Sequence, residues 1–272
     1  MPERGDAAGR LSERARSASR LSALGARPLD RLRIAALVLA QPLRRRLRRS
    51  RTTTVRVRVG DEAVPWVVDN DSDLLVLDEI FRQAIYPLDG VGDPGTIVDL
   101  GSHVGASILF FRRRFPDARI VGFEPDPANF RKLSRNVGHL SGVELHNIAI
   151  AAADGPVEFY ESGAYDGWAS SLTRSTPWQR PVQVEGRTLE SALAACGIER
   201  IDLLKIDVEG AEYAILGGYR NLGAVAHVIG EVHAPRSAGD LDGLRERLSG
   251  HEHDLPSALP EGSTAFRASL RG

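Results

Sequence analysis

The chain predicts an α/β domain on a mostly parallel sheet, and three observations carry that reading. From Thr96 onward, short apolar runs alternate with stretches of helical periodicity, the order that βαβ units require. The first run closes on Asp99-Leu-Gly101, a strand tip leading through a glycine turn into a helix. The next closes on Glu124, roughly 20 residues further on, the spacing of open sheets that hold a ligand at their carboxyl edge.

Size and composition bound the rest. A length of 272 residues fits one main domain with additions. Hydrophobic and charged fractions of 42% and 26% match soluble globular chains, which excludes global disorder and a multi-span membrane protein. The only cysteine, Cys196, excludes an internal disulfide and argues against a cysteine-built zinc site, so a reducing, cytoplasmic location is expected. No run approaches the roughly 18 apolar residues of a spanning helix, and Ile34 to Ala40 lacks the flanks of a secretory signal. Net charge is -1, yet residues 1–51 hold fourteen arginines against four acidic residues, which leaves the remainder near -11. Anionic partners should meet the basic arm first, and the acidic body shows no nucleic-acid footprint.

The elements follow in order. Residues 1–28, rich in Arg, Ser, Ala and Gly, predict a frayed start to a basic extension over 1–50. Leu29, Leu32, Ala36, Leu39, Leu43 and Leu47 then recur at steps of three and four, one apolar stripe on a helix that Pro42 should kink or interrupt. With Arg44, Arg45, Arg46, Arg48, Arg49 and Arg51 at its end, residues 29–51 read either as a peripheral anchor on an anionic membrane or as a helix packed on protein. Residues 51–95 form a lead-in: a hairpin over Thr53 to Val68, then a helix from Asp73 to Tyr86 ended by Pro87.

The main domain spans 96–272. Its strands are Thr96 to Leu100, Arg119 to Glu124, Val143 to Ile148, Ile201 to Asp207 and Ala226 to Val232. Helices fill the gaps at Gly105 to Phe115, Pro127 to Leu140, Leu189 to Cys196 and Ala211 to Tyr219. Residues 156–184 read as an inserted hairpin, where Tyr160, Tyr165, Trp168 and Trp178 either pack or wall an acceptor.

Three segments carry chemistry. In Asp99-Leu-Gly-Ser-His-Val-Gly105 the glycines let backbone approach a ligand, and the helix start offers unpaired N–H groups. Glu124 can accept hydrogen bonds from both hydroxyls of a ribose, although Asp126 alone would cap the helix that opens at Pro127. The spacing of Gly101 and Gly105 departs from G-x-G-x-x-G and disfavours a nicotinamide cofactor. Asp207 and Glu209 stand where the fourth strand ends, the edge at which open sheets place ligands.

Those segments, with Asn147-Ile-Ala-Ile, Leu204-Lys-Ile-Asp-Val-Glu-Gly-Ala-Glu212 and Glu231-Val-His233, resemble the FkbM family of S-adenosylmethionine-dependent methyltransferases. The resemblance implies an α/β class I methyltransferase, Rossmann-like fold: a mostly parallel seven-stranded sheet with helices on both faces and a last strand, Thr264 to Leu270, running antiparallel. It also implies a cofactor, S-adenosyl-L-methionine, with Asp99, Gly101 and Gly105 around its methionine portion, Glu124 on the ribose, Asn147 to Ala149 near the adenine, and Ser102 and His103 among the cofactor-binding residues. His103 stands where the family commonly has Asn, and Glu190 where Asp is usual.

Methylation of an oxygen on a small-molecule, sugar, glycolipid or natural-product acceptor is therefore expected, with N-methylation or a non-catalytic cofactor-binding scaffold as alternatives. A sulfonium donor needs alignment and water exclusion more than covalent help. A base adds rate for a hydroxyl acceptor; His233 beside Glu231 is the first candidate and Asp207 the second, against a structural role for His233. Asp207, Glu209, Glu231 and His233 are also the candidate ligands should a divalent metal bind.

Overall fold

The computed structural model describes residues 6–46, 52–161, 172, 179–234, 240–256 and 263–271. Leu47, Arg48, Arg49, Arg51, Tyr165, Trp168 and Trp178 lie outside these residues. The described residues form two compact units, one up to Gln83 and one from Ala84.

In the first unit the arginine-rich start is helical from Asp6, contrary to the expected frayed segment. Helix α1 (Asp6–Ser22) lies along α2 (Pro28–Arg46) and buries Ala18 and Leu21. Polar contacts hold the two helices in place: Arg14 Nε donates to Val38 O at 2.8 Å, and the same guanidinium pairs with Asp71 at 3.2 Å. Tertiary packing of a sparse apolar face overrides a composition that alone reads as disordered. Helix α2 runs through Pro42 to Arg46 without ending there. It buries Ile34, Leu37 and Val38, not the stripe that begins at Leu29. The hairpin forms as expected, β1 (Thr53–Val59) antiparallel to β2 (Glu62–Val68), with Val55, Val57 and Val59 buried and Arg56 and Arg58 facing outward. Trp66 is fully buried and donates its Nε1–H to Asp73 O, at the start of α3 (Ser72–Phe81). That helix stops short of Tyr86, since Ala84 takes a φ of 54°, which no α-helix accommodates.

The second unit is built on a seven-stranded sheet, ordered β11-β12-β10-β9-β3-β4-β5. Strands β3 (Thr96–Leu100), β4 (Arg119–Phe123), β5 (Val143–His146), β9 (Ile201–Ile206) and β10 (Val225–His233) pair in parallel. The last strand, β12 (Ser263–Leu270), runs antiparallel to β10 and to β11 (His251–His253), as the class I methyltransferase fold requires. Helices α4 (Ala106–Arg114), α5 (Pro127–Val137), α6 (Leu189–Ala195) and α7 (Glu212–Gly218) sit between the strands. Strand β11 and helix α8 (Asp240–Arg247) went unrecognised in the sequence, being short and rich in charge. The insertion is a sheet of β7 (Gly155–Glu161) antiparallel to β8 (Arg180–Arg187), extended by β6 (Ala149–Ile150).

The chain passes from β3 outward through β4 to β5, then returns to lay β9 on the other side of β3. The crevice between β3 and β9 is the topological switch point, where open sheets bind ligands beyond the strands' carboxyl ends. Both ends carry acidic residues: Asp99 belongs to β3 and Asp207 follows β9.

Candidate active site

Asp99 is fully buried on β3, and the charge it carries there is matched from β9 by Lys205. Lys205 Nζ lies 3.1 Å from Asp99 Oδ1 and also donates to the carbonyls of Leu100 and Gly101, at 3.2 and 2.7 Å. Burial alone would lower the Lys205 pKa, but Asp99, Tyr86 and Asp207 outweigh it and hold the ammonium well above its ordinary range. Ser107 completes the cage by donating to Asp99 Oδ2 at 2.5 Å. Lys205 lies in a segment that carries the family resemblance, but neither it nor Ser107 was given a role from the sequence. The signal for the first was a lysine inside the apolar run Leu203-Leu-Lys-Ile206.

The turn after β3 is shaped by its neighbour across the switch point. A Cβ on Gly101, at φ 78°, would stand 1.9 Å from Asp207 O, so glycine is required here by the chain's own backbone and not only by a ligand. His103 adopts φ 50°, a left-handed conformation in which Asn and His are over-represented. Ser102 is buried with its hydroxyl donating to Asp99 O, which makes it a brace of the turn. Gly105 caps α4 at φ 96°, and a Cβ there would meet Val137 at 2.9 Å.

Glu124, at the end of β4, is 5% exposed. Its Oε2 accepts from His103 N at 2.8 Å and its Oε1 from Asp126 N at 2.9 Å. Burial, then the Asp126 carboxylate, push its pKa up to about 8, against the two amide hydrogen bonds. Asp126 itself caps α5 through the amides of Ala128 and Asn129, so the two carboxylates divide the roles that the sequence left open. Asn147 ties the ends of β4 and β5 together by donating to Glu124 O and Pro125 O, at 2.7 and 3.1 Å. The side chain of Ala149 does not join this group. Strand β6 pairs with β8 and turns Ala149 into a core with Phe159 and Val184.

Beyond β9 and β10 a second group assembles. Ligand-capable atoms of Asp207, Glu209 and His233 lie within 4.8 Å of one another. His233 Nδ1 is 2.8 Å from Glu212 Oε1, and His233 Nε2 is 3.4 Å from Glu209 Oε2. Glu212, fully buried, also accepts from the amides of Val208 and Gly210, which fixes the turn that presents Glu209 at φ 56°. Its role went unread in the sequence, where it is only the last residue of Glu209-Gly-Ala-Glu212. Glu231 stays outside the close group: its Oε2 accepts from Ser263 Oγ at 2.7 Å. Tyr86 is another buried member missed by sequence, its phenol held protonated by burial and electrostatically coupled to Lys205, Asp207, Asp99 and Glu231.

The group is tuned by crowding. Burial would lower the His233 pKa, yet Glu212, Glu209 and Asp207 lift it to about 9. Burial raises Glu209 to about 8 and Asp207 to about 6, opposed by His233 and Lys205 respectively. Glu212 goes the other way, because the hydrogen bond and charge of His233 outweigh its burial. Several displaced proton affinities gathered at one sheet edge are a mark of a reaction centre.

The family described as "Methyltransferase FkbM domain" matches residues 99–254, which take in both groups except Tyr86. The chain belongs to the FkbM methyltransferase family. Within it, the chain is similar to "Methyltransferase 1" of Beauveria bassiana, 31% identical over 160 residues, 52% of this chain and 64% of that protein. It is similar also to the "2-O-methyltransferase NoeI" of Sinorhizobium fredii, 33% identical over 141 residues, 46% of this chain and 57% of that protein. The matches thus span less than two thirds of either relative. Among solved structures, a methyltransferase FkbM from Methylobacillus flagellatus aligns over 96% of this chain and 60% of its own, at 14% identity and a TM-score of 0.45.

Proposed function

We propose that this FkbM-family protein is an S-adenosylmethionine-dependent O-methyltransferase acting on a hydroxyl of a sugar, glycolipid or natural-product acceptor. The observation that carries the reading is the histidine held by a fully buried carboxylate, His233 on Glu212, at the same sheet edge as the Glu124 carboxylate. The Sinorhizobium relative, described as a 2-O-methyltransferase, favours oxygen over nitrogen.

The residues present fit the cofactor. Each oxygen of Glu124 already accepts one backbone amide and keeps lone-pair capacity for one ribose hydroxyl. The turn from Gly101 to Gly105, pinned by Lys205 and Asp99, would hold the amino-acid portion, with Asn147 beside the base. When bound, the cofactor supplies a methyl group already activated on a sulfonium. The chain then has to align the acceptor, exclude water and remove the hydroxyl proton.

That proton goes to His233 Nε2 while Nδ1–H donates to Glu212 Oε1, so Glu212 sets the tautomer and offsets the charge that His233 acquires. Glu209 borders the same nitrogen, Asp207 lies within the same group, and the two receive the acceptor's hydroxyl. The same carboxylates keep His233 cationic up to about pH 9, so the base form grows as pH rises.

The test is transfer of label from methyl-labelled S-adenosylmethionine to hydroxyl-bearing glycans, glycolipids and small molecules, read by mass spectrometry. Label on an acceptor oxygen is expected, lost in His233→Ala. Label on nitrogen would contradict the oxygen assignment, and tight cofactor binding with no transfer to any acceptor would favour a scaffold. Turnover abolished by chelation and restored by a divalent ion would instead give Asp207, Glu209 and His233 to a metal.

A further inference from the structure

Helix α2 has two apolar faces, and only one has a partner among the described residues. Ile34, Leu37 and Val38 are buried in the first unit. On the opposite side Leu29, Leu32, Leu39 and Leu43 are 57%, 69%, 53% and 60% exposed, and Ala36 between them is exposed too. At about 100° per residue these five positions fall within an arc of about 80°, centred nearly opposite the buried face. Four of the six large hydrophobic side chains exposed among the described residues therefore share one stripe.

The charges around the stripe are of one sign. Arg33 and Arg44 border one side, Arg31 lies farther round on the other, beside Val38, with its Nε donating to Gly25 O at 3.1 Å, and Arg27 precedes the helix. The only acidic residue of α2, Asp30, is 5% exposed and turned inward, where its Oδ1 accepts from Arg56 N at 3.1 Å. A second copy of this face would bring arginine onto arginine. No helix among the described residues is long and apolar enough to cross a membrane, so the stripe has the form of an in-plane contact.

We propose that this face of α2 docks on a bilayer surface rich in anionic headgroups, with Leu29, Leu32, Leu39 and Leu43 in the acyl boundary and the bordering arginines on the phosphates. Apolar insertion and arginine attraction act together, and neither alone gives firm attachment. The proposal is independent of the methyl-transfer reading, because none of these residues belongs to the switch-point site.

Flotation of the full chain with phosphatidylcholine vesicles, with and without phosphatidylglycerol, tests it. The protein should float with the anionic vesicles and stay behind with the neutral ones. The double variant Leu32→Glu/Leu39→Glu, whose positions are exposed and whose fold is checked by circular dichroism and cofactor binding, should lose roughly tenfold or more in vesicle affinity. Arg33→Glu, at the border of the stripe, should lose about fivefold. No flotation with anionic vesicles, or equal flotation with neutral ones, overturns the proposal. So does unchanged binding of the leucine variant. Sedimentation that shows a dimer dissolved by that variant would give the face to a second copy instead.

Discussion

The carboxyl ends of β3 and β4 pair unlike groups, whereas those of β9 and β10 crowd like charges around one histidine. On the first side Asp99 meets Lys205 and Glu124 meets two backbone amides. On the second, Asp207, Glu209 and Glu212 surround His233, and three of these four groups have pKa values displaced toward or above neutrality. The difference teaches a division of labour along one sheet edge. The paired side is a preformed cradle, suited to a cofactor that arrives unchanged each cycle. The crowded side gathers displaced proton affinities around a histidine, suited to an acceptor that must lose a proton, whereas the displaced carboxylate of the paired side, Glu124, faces backbone amides.

The largest expected effect breaks the paired side. Lys205→Ala leaves the Asp99 charge buried without its partner and should cost about 3–5 kcal/mol of stability, measured by chemical denaturation. A loss below about 1 kcal/mol would mean that the pair does not organise the β3 turn. Next comes the crowded side: His233→Ala should lower kcat roughly 10²–10⁴-fold while the cofactor Kd changes little. Equal losses in both would make His233 a structural residue. Smaller again, Glu124→Ala removes two charge-assisted acceptors and should raise the cofactor Kd by about tenfold to a hundredfold. In the intact chain, affinity should strengthen as pH rises toward about 8, because ribose hydroxyls donate best to the ionised carboxylate. Calorimetry in buffers of different ionisation enthalpy would show the proton released. Binding independent of pH from 6 to 9, the range about that value, would detach Glu124 from the ribose.

The two sides also differed in how far they could be read from sequence. The strand tips at Asp99, Glu124 and Asp207 were legible because apolar runs stop on acids, and the parallel order follows from the intervening helical periods. His233 and Asp207 were found by their place after strands, and the structure brings them together with Glu209. Partners were not legible. Lys205 with Asp99, and Glu212 with His233, lie far apart in sequence and meet only through sheet register and the α7 turn. Strand β6, which carries Ala149, was not legible, because two residues pairing with β8 leave no periodic signal. In the first unit the leucine stripe was correctly periodic, yet the packed face was the opposite one, Ile34, Leu37 and Val38. A helix that is apolar on both sides does not tell the sequence reader which side is core.

The most direct test of the central claim is the pH profile of kcat in the intact chain and in Glu212→Gln. The glutamine keeps an acceptor for Val208 N, Gly210 N and His233 Nδ1 but removes the charge that raises His233. In the intact chain His233 lies above its ordinary value of 6.5, so its base form, and kcat, should rise through about pH 9. In Glu212→Gln the midpoint should move to lower pH, with activity gained near neutrality relative to the plateau. The rising limb should vanish in His233→Ala. An identical midpoint with and without the Glu212 charge, or a limb that survives His233→Ala, would contradict the assignment of the acceptor's proton to this group.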